Sequence, residues 1–414
     1  MRVLLITETV YPDLNANSEI VFRIGRALKQ QYNCDVNILG YTKRATQESI
    51  DNPYGVNTIL VNTLSSFNRI MESGESKVKR FIKMLMHPNC LRFYKLYTSK
   101  PYNEAVSGVY YRAIRNSCKN VIFDCIIGFQ APMYVPMAMS KLNTNVPIII
   151  YKLDPWQTQS VFDNSPEEAD KENRADSTAS AIIMTDLIFR DYSKFYSDEL
   201  LKKCHILNFP NIIKYNTDNH NLFDKKSINC IFAGTLYKNI RDPKYTFSLF
   251  EKVLGCRIVL HLFGSQVGDI YDPVELPSNI IIHGKVSSDE IISYIASSDV
   301  CVNIGNTEIG MMPSKILTYI AIGKPILNII KDPNCPTLPY MEKYPLGLSV
   351  LETPVPTEED VARVRDFIMT NKGKQISFET IKELYYDCTP EYVGGKVYEI
   401  ICKVVEENKR SKNK

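Results

Sequence analysis

The stretch Asp299–Ile330, DVCVNIGNTEIGMMPSKILTYIAIGKPILNII, decides the fold class of this chain. Val300–Ile304 is a short apolar run that predicts a buried strand. A proline and a serine then open an apolar-periodic segment, which predicts a helix over Lys315–Ile322 that ends at a glycine. Ile326–Ile330 predicts a second strand. The order strand, loop, helix, strand is typical of an α/β protein with a parallel sheet.

The loop between this strand and this helix carries residue types that bind a phosphorylated ligand. It contains Gly305, Gly310 and the acidic Glu308, and the helix begins with Ser314 and Lys315. At the carboxyl end of a parallel strand such a loop faces the ligand crevice, and the first backbone N–H groups of the helix are available to an anion. The combination suits a ligand that carries both phosphates and hydroxyls, such as a nucleotide sugar.

This segment resembles the signature of the retaining GT-B glycosyltransferases of the large family-4 type, glycosyltransferase group 1, which build lipopolysaccharide, capsule and exopolysaccharide. The resemblance implies that Glu308 contacts the donor sugar and that Lys315 lies near the donor phosphates. A second glutamate of that family, which holds the nucleotide ribose, falls on Thr318 here. A hydroxyl cannot give the two-point grip of a carboxylate. Among nucleotides we favour UDP for the donor.

Length and composition limit the class of protein. A chain of 414 residues predicts about two domains, and a net charge of +3 gives no argument for nucleic-acid binding. The 11 cysteines are scattered without a C-x-x-C pair, which predicts reduced thiols in a cytoplasmic protein. Glu8 interrupts the apolar N-terminus, so we expect no signal peptide. No segment approaches the ~18 apolar residues that a membrane span needs.

The first half opens with a predicted strand, helix and strand over Val3–Thr7, Glu19–Gln31 and Asp35–Leu39. The first loop contains no glycine, so the dinucleotide fingerprint is absent, and no P-loop occurs in the chain. Asn17 and Ser18 stand where members of the resembled family have a Gly-Gly pair. We expect these two residues to cap the helix and to donate to a phosphate or an acceptor, although a helix cap alone explains them equally well.

Residues 77–86, KVKRFIKMLM, interleave four cations with apolar residues. This basic amphipathic pattern suits the surface of an anionic membrane. The resemblance agrees with it, because many family members act on lipid-linked acceptors. An ordinary surface helix with solvated lysines remains the alternative. A peripheral location on the inner face of the membrane is therefore one expectation.

A second predicted strand end in the first half carries an acidic residue and the only tryptophan. The strand over Pro147–Lys152 ends in Leu-Asp-Pro-Trp, which resembles the D-x-W-P-like stretch of the same enzymes. Asp154 would orient the acceptor hydroxyl or take its proton, and Trp156 would stack on a sugar or pack under the loop. A turn or helix cap before proline is the alternative for Asp154.

The second half begins with a predicted strand over Asn229–Ala233 and a loop that opens at Gly234. By resemblance, Lys238 and Arg241 in this loop hold the donor diphosphate. Two cations can balance the negative charge of its two phosphates. A surface turn with solvated cations is the alternative. Further positions assigned to donor binding are Gly264, Lys285, Val286 and Asn303. The histidines are isolated in sequence and no D-x-D occurs, so we predict neither a metal nor another cofactor.

The sequence thus predicts a GT-B fold of two doubly wound Rossmann-like α/β domains facing across a cleft. Residues 1–213 form the acceptor domain, residues 227–388 form the nucleotide-sugar domain, and a helix over 390–408 packs back on the first. The expected activity is retaining transfer of a sugar from a nucleotide sugar to a glycan or lipid-linked acceptor in surface polysaccharide biosynthesis. A GT-B-fold nucleotide-sugar epimerase and a non-catalytic binding protein are the alternatives.

Overall fold

The computed structural model describes residues 1–43, 52–99, 101–157, 165–217, 222–253, 257–264, 276–310 and 312–412. The chain forms two compact units. The first contains Met1–Pro210 and Asp387–Lys414, and the second contains Asn211–Tyr386. The sequence predicts domains over 1–213 and 227–388. In the structure residues 211–213 belong to the second unit, and residues 387–388 belong to the first.

The first unit is built on a parallel sheet that, in the described part of the chain, has seven strands in the order β3-β2-β1-β4-β5-β6-β7. The three strands on one side of the reversal in strand order are β1 Arg2–Thr9, β2 Asp35–Tyr41 and β3 Asn57–Leu60. The others are β4 Cys125–Gln130, β5 Ile148–Lys152, β6 Ala181–Met184 and β7 Cys204–Ile206. The central strands β4 and β5 are buried along their whole length, because helices cover both faces of such a sheet.

The helices of the first unit cover both faces of its sheet. They are α1 Ala16–Tyr32, α2 Asn62–Met71, α3 Lys77–Leu85, α4 Pro88–Ser99, α5 Tyr102–Asn120, α6 Tyr134–Met139, α7 Pro166–Thr178, α8 Asp186–Tyr192, α9 Asp198–Lys202 and the C-terminal α16 Pro390–Lys412. Two apolar clusters, one on each side of the sheet, contain its alternating side chains: Val3 and Leu5 belong to one cluster, and Leu4 and Ile6 to the other.

Helix α16 returns to the first unit and packs on α1. Val393, Val397 and Ile401 are fully buried in the same apolar cluster as the inner face of α1. Gly394 permits the contact, since a Cβ atom there would lie 2.5 Å from the Cβ of Ala27. The predicted helix over 390–408 is observed and continues to Lys412.

The second unit repeats the architecture with a parallel sheet of six described strands in the order β10-β9-β8-β11-β12-β13. They are β8 Ile228–Ala233, β9 Ile258–Phe263, β10 Ile280–Gly284, β11 Val300–Ile304, β12 Ile326–Ile330 and β13 Gly347–Leu351. The helices are α10 Lys244–Lys252, α11 Ser288–Ser297, α12 Lys315–Ile322, α13 Leu338–Glu342, α14 Glu358–Asn371 and α15 Phe378–Leu384. The predicted order of strand, loop, helix and strand over 299–330 is confirmed, with α12 ending at Gly323 in the left-handed conformation.

None of the helices in the described part of the chain is both long and apolar enough to cross a lipid bilayer.

Candidate functional site

The strand order of the second sheet reverses between β8 and β11, and the loops that follow these two strands meet there. The backbone N–H of Thr307 donates to the carbonyl of Ile240 at 2.8 Å, and the Thr307 hydroxyl donates to the carbonyl of Asn239 at 3.0 Å. Ligands of open α/β sheets bind at this kind of position, outside the carboxyl ends of the strands where the order reverses. Lys238, Arg241, Glu308 and Lys315, predicted from sequence, all lie on these two loops or at their ends.

Arg241 is the half-buried cation of this loop pair. Its Nε donates to Oδ1 of Asn306 at 2.8 Å, and its Nη1 donates to the carbonyl of Thr235 at 3.2 Å. Burial lowers the pKa of Arg241, yet none of the described residues places a carboxylate in an ion pair with it. Two of the five N–H groups of the guanidinium are used by the protein, so the others are available to an anion.

Gly234 and Gly264 lie where the ends of β8 and β9 approach each other closely beside Arg241. A Cβ atom at Gly264, where φ is +132°, would lie 1.9 Å from the carbonyl oxygen of Gly234. A Cβ atom at Gly234 would lie 3.3 Å from Nη1 of Arg241. Position 264 therefore requires glycine, whereas a side chain at position 234 would crowd the Arg241 guanidinium.

The first turn of α12 faces the same loop pair without a side-chain cap. Ser314 is its N-cap residue, is exposed and makes no capping hydrogen bond from its side chain. Lys315, the first helical residue, is half-buried, as is Glu308 upstream. The Tyr319 hydroxyl accepts from the Ala233 backbone N–H at 2.8 Å, which ties the helix to the end of β8. A helix start without a side-chain cap, with a lysine as its first residue, favours an anionic ligand.

Several other predicted donor-binding residues differ in their exposure. Lys238 is exposed in a turn that is closed by backbone hydrogen bonds between Tyr237 and Arg241. Lys285 is exposed and Val286 is half-buried directly after β10. Thr318, in the second turn of α12, is only 8% exposed, so little of its surface is accessible for contact with a ribose.

Asn303 belongs to the interior of the sheet. It is 3% exposed, and its Nδ2 donates to Oδ1 of Asn328, its register partner on β12, at 2.8 Å. Asn328 in turn donates to the hydroxyls of Thr337 and Ser349 at 3.0 and 3.1 Å. This row of polar groups crosses three neighbouring strands. The assignment of Asn303 to donor binding is therefore wrong for its side-chain amide, which is used inside the core.

In the first unit the structure joins Asp154, which follows β5, to Asn17 in the first turn of α1. The Nδ2 of Asn17 donates to Oδ2 of Asp154 at 3.3 Å. Burial raises the pKa of Asp154, and this hydrogen bond opposes the shift. A carboxyl group with a raised pKa at the carboxyl end of a central parallel strand is suited to contact a reacting hydroxyl.

The N-terminal cap of α1 is Asn15 rather than Asn17 or Ser18. The Asn15 side chain accepts from the Ser18 backbone N–H at 2.8 Å. The Ser18 hydroxyl is fully buried and lies 3.0 Å from the Thr7 hydroxyl and 2.9 Å from the Thr9 hydroxyl. The prediction that Ser18 caps the helix and contacts a phosphate or acceptor is therefore wrong, because its hydroxyl joins α1 to β1.

Trp156 packs under the loop, which is one of the two roles predicted for it. It is 9% exposed and forms an apolar cluster with Met133 and Met137. Its backbone N–H donates to the Tyr192 hydroxyl at 2.8 Å, and so does that of Gln157 at 3.3 Å. A ring so deeply buried presents no face for stacking on a sugar, so its assignment to acceptor binding is wrong.

A buried ionic network that the sequence did not predict supports this loop. Lys152 lies 2.6 Å from Oε1 of Glu172 and 3.0 Å from Oδ2 of Asp176, and all three side chains are fully buried. The Tyr192 hydroxyl donates to Oε1 of Glu172 at 2.7 Å, and Gln130 donates to the same oxygen at 2.6 Å. The one feature of the sequence that could have indicated this network is Lys152, a lysine at the end of the apolar run of β5.

Two histidines that look isolated in sequence form a pair on β9 and β10. Nδ1 of His261 lies 2.9 Å from Nε2 of His283, and Nε2 of His261 lies 3.0 Å from Oδ1 of Asn229. Burial, and then the neighbouring His283, lower the pKa of His261 to about 4, so the ring is neutral near pH 7. Within the described residues no group of three or more His, Cys, Asp or Glu side chains is arranged to hold a metal ion.

Comparisons with known proteins bear on the fold. No protein-family model matches the chain. No curated protein matches it either. Among solved structures, a glycosyltransferase from Rickettsia africae ESF-5 superposes with a TM-score of 0.61 at 13% identity over 98% of each chain.

Two further solved structures superpose at similar identity. A candidate UDP-N-acetylglucosamine 2-epimerase from Listeria monocytogenes gives a TM-score of 0.60 at 10% identity, over 98% of this chain and 97% of that one. The lipopolysaccharide outer core galactosyltransferase WaaB gives 0.54 at 10% identity, over 97% and 99%. At such identities the likeness concerns the fold. With the two parallel sheets, it confirms a GT-B fold of two Rossmann-like α/β domains.

Proposed function

We propose that this chain is a glycosyltransferase that moves a sugar from a nucleotide sugar, of the UDP type, to a glycan or lipid-linked acceptor in surface polysaccharide biosynthesis. The observation that carries the proposal is the Arg241 guanidinium at the strand-order reversal of the second sheet, half-buried and in no ion pair with a described carboxylate. A partly desolvated cation of this kind is best satisfied by a bound anion, and a guanidinium fits a phosphate with two parallel hydrogen bonds.

Each loop group then has a part in transfer. Arg241, Lys315 and the first turn of α12, which has no side-chain cap, stabilise charge on the leaving diphosphate, with exposed Lys238 as a further cation. Preorganised donors of this kind are commonly the largest catalytic contribution. Glu308 holds the donor sugar and Asp154 the acceptor hydroxyl. We propose retention at the anomeric carbon, the outcome that the resemblance of 299–330 implies.

A thermal-shift screen of nucleoside diphosphates and their sugars tests this function. We expect UDP or a UDP-sugar to raise the melting temperature, because a ligand that binds only the native state stabilises it by about 2.7 kcal/mol at 100 times its Kd. Release of UDP from the best donor, with and without added glycans, then reports transfer. If no nucleoside diphosphate or nucleotide sugar shifts the melting temperature, the proposal fails in favour of a non-catalytic protein.

A second assay separates transfer from epimerisation, since a candidate UDP-N-acetylglucosamine 2-epimerase is among the structural neighbours. An epimerase converts the sugar while it remains on the nucleotide, and it needs no acceptor. NMR of the nucleotide sugar after incubation with the enzyme alone therefore distinguishes an epimerase from a transferase. Appearance of an epimeric nucleotide sugar would replace the transferase proposal.

We further propose that α3 holds the protein on an anionic membrane surface, in the cytoplasm. Val78, Phe81, Ile82 and Leu85 of this helix are 69%, 48%, 52% and 51% exposed, and Met86 directly after it is 75% exposed. The helix also carries the cations Lys77, Lys79, Arg80 and Lys83. Exposed apolar side chains beside clustered cations are the features that bind an anionic lipid surface.

Co-sedimentation with vesicles tests the membrane contact. We expect binding to phosphatidylcholine vesicles that contain phosphatidylglycerol, weaker binding without it, and loss of binding when Phe81 and Ile82 are both replaced by serine. Ile122→Ser is the matched control, since Ile122 is 85% exposed elsewhere in the first unit. Equal sedimentation of the double variant and the control would show that α3 is an ordinary surface helix.

A further inference from the structure

Glu8 lies at the carboxyl end of β1, beside the position where the strand order of the first sheet reverses between β1 and β4. Its Oε2 accepts from Nδ2 of Asn15 at 2.7 Å, and its Oε1 accepts from the Tyr134 hydroxyl at 3.3 Å. Two donors therefore hold the carboxylate in one orientation at the edge where ligands of such sheets bind.

Nothing in the described structure neutralises this carboxylate. No described cationic side chain forms an ion pair with Glu8. Lys43, the cation whose charge reaches it, is paired with Glu72 at 2.6 Å. Burial raises the pKa of Glu8, and the bonds from Tyr134 and Asn15 oppose the shift only in part. A partly desolvated carboxylate without a countercharge costs stability, and such groups concentrate at functional sites.

Tyr134, which bonds the Glu8 carboxylate, belongs to a row of tyrosine rings that reaches the protein surface. The Tyr110 hydroxyl donates to the Glu8 carbonyl at 2.7 Å. The ring centroid of Tyr134 lies 5.1 Å from the ring centroid of Tyr110 and 6.3 Å from that of Tyr102. Tyr102 is 50% exposed, and Tyr97, 5.9 Å from it, is 41% exposed. The row of rings thus begins at a buried hydroxyl and ends in solvent.

An oriented carboxylate and an exposed aromatic ring, joined here through Tyr134, have the chemistry that binds a carbohydrate. The hydroxyls of a sugar donate to an ionised carboxylate, which only accepts hydrogen bonds. Its C–H faces pack on aromatic rings, whose bodies are apolar while their hydroxyls stay polar. A pocket for a nucleotide phosphate would need cations instead, and among the described residues Lys43, whose charge reaches Glu8, is already paired.

We propose that Glu8 and Tyr102 form a sugar-binding subsite of the first unit. In this subsite Glu8 accepts a hydrogen bond from a hydroxyl of the acceptor, and Tyr102 contacts the sugar ring of the acceptor. The assignment rests on the proposed function, and it identifies the acceptor as a carbohydrate at its reacting end. Tyr134 and Asn15 are positioning residues that hold the carboxylate.

Saturation-transfer difference NMR on the full chain tests this subsite with methyl α- and β-glycosides of glucose, galactose, mannose and N-acetylglucosamine as probes. We expect saturation of at least one glycoside in the wild type and a loss of several-fold in Glu8→Gln and Tyr102→Ala. Glutamine keeps the shape and one acceptor oxygen but lacks the charge. Tyr386→Ala is the matched control, because Tyr386 is 51% exposed and belongs to the second unit.

Each outcome decides the proposal. Binding that is lost in both variants and kept in the control supports it. Binding that survives both substitutions, or no binding of any glycoside to the wild type, overturns it and leaves Glu8 as a support for the Asn15 cap. The UDP thermal shift, measured on the same variants, should be unchanged; since it reports on the second unit, its absence would count against the proposed function and not against the subsite.

Discussion

Replacement of Arg241 by methionine is expected to abolish the thermal shift by UDP and to lower the release of UDP from the donor by about 10²–10³-fold, or ~3–4 kcal/mol. The methionine keeps the apolar length of the side chain but removes the half-buried cation at the carboxyl end of β8. The diphosphate then loses a two-point contact in a partly desolvated place, where it is worth most. Calorimetric titration with UDP measures the affinity directly.

Two further variants separate a loss of UDP binding from a loss of folding. Asn306→Asp preserves the shape of the residue that accepts from Nε of Arg241 at 2.8 Å, and it supplies the guanidinium with an internal anion. It should weaken UDP binding without lowering the melting temperature of the protein alone. Lys244→Met is the control, since Lys244 is exposed on α10 outside the loops. Unchanged UDP affinity in both Arg241→Met and Asn306→Asp would contradict the role of Arg241.

Replacement of Lys152 by methionine is expected to destabilise the first unit by roughly 3–5 kcal/mol, because two fully buried carboxylates lose their only cation in the described network. Burial and the charge of Glu172 already raise the pKa of Asp176, and Lys152 is the main group that opposes this. For a unit of this size the loss corresponds to a fall in melting temperature of roughly 10 °C. Differential scanning calorimetry measures it.

The double variant Lys152→Met with Glu172→Gln identifies the cause. Neutralising Glu172 removes a buried anion that has lost its partner, so the double variant should be more stable than Lys152→Met alone. Lys396→Met is the control, because its pair with Glu399 is exposed to solvent and should contribute little to stability. Equal stability of Lys152→Met and the control would show that the network does not support the fold.

Sequence patterns predicted the fold from features that lie close together along the chain. The run Val300–Ile304, the glycine that ends α12 and the strand Ile326–Ile330 are each specified by neighbouring residues, since hydrophobic periodicity and a left-handed C-cap are local properties. The same holds for the amphipathic pattern of α3. Helix N-termini were predicted less well: Asn15, Asn17 and Ser18 are all plausible caps, and only the backbone conformation selects Asn15.

The candidate site was predicted in part. The loops of Arg241 and Glu308 could be located because a strand end is visible in sequence and a parallel sheet concentrates ligands there. The partners Asn306, in a loop, and Tyr319, on α12, were missed, because neither residue shows in sequence which distant segment it will contact. Glu8 was noticed only as a charge in an apolar run, since its tyrosines come from α5 and α6, far along the chain.

What the sequence by itself determined is the class of the protein: alternating strands and helices in two halves, with glycines and cations at strand ends. Only the tertiary structure decided which polar residues are buried supports and which are open to a ligand. Asn303, Ser18 and Trp156 pack inside, while Arg241 and Glu8 remain partly open without a countercharge in the described structure. The physical reason is that burial and pairing are set by segments distant in sequence, through strand order and register.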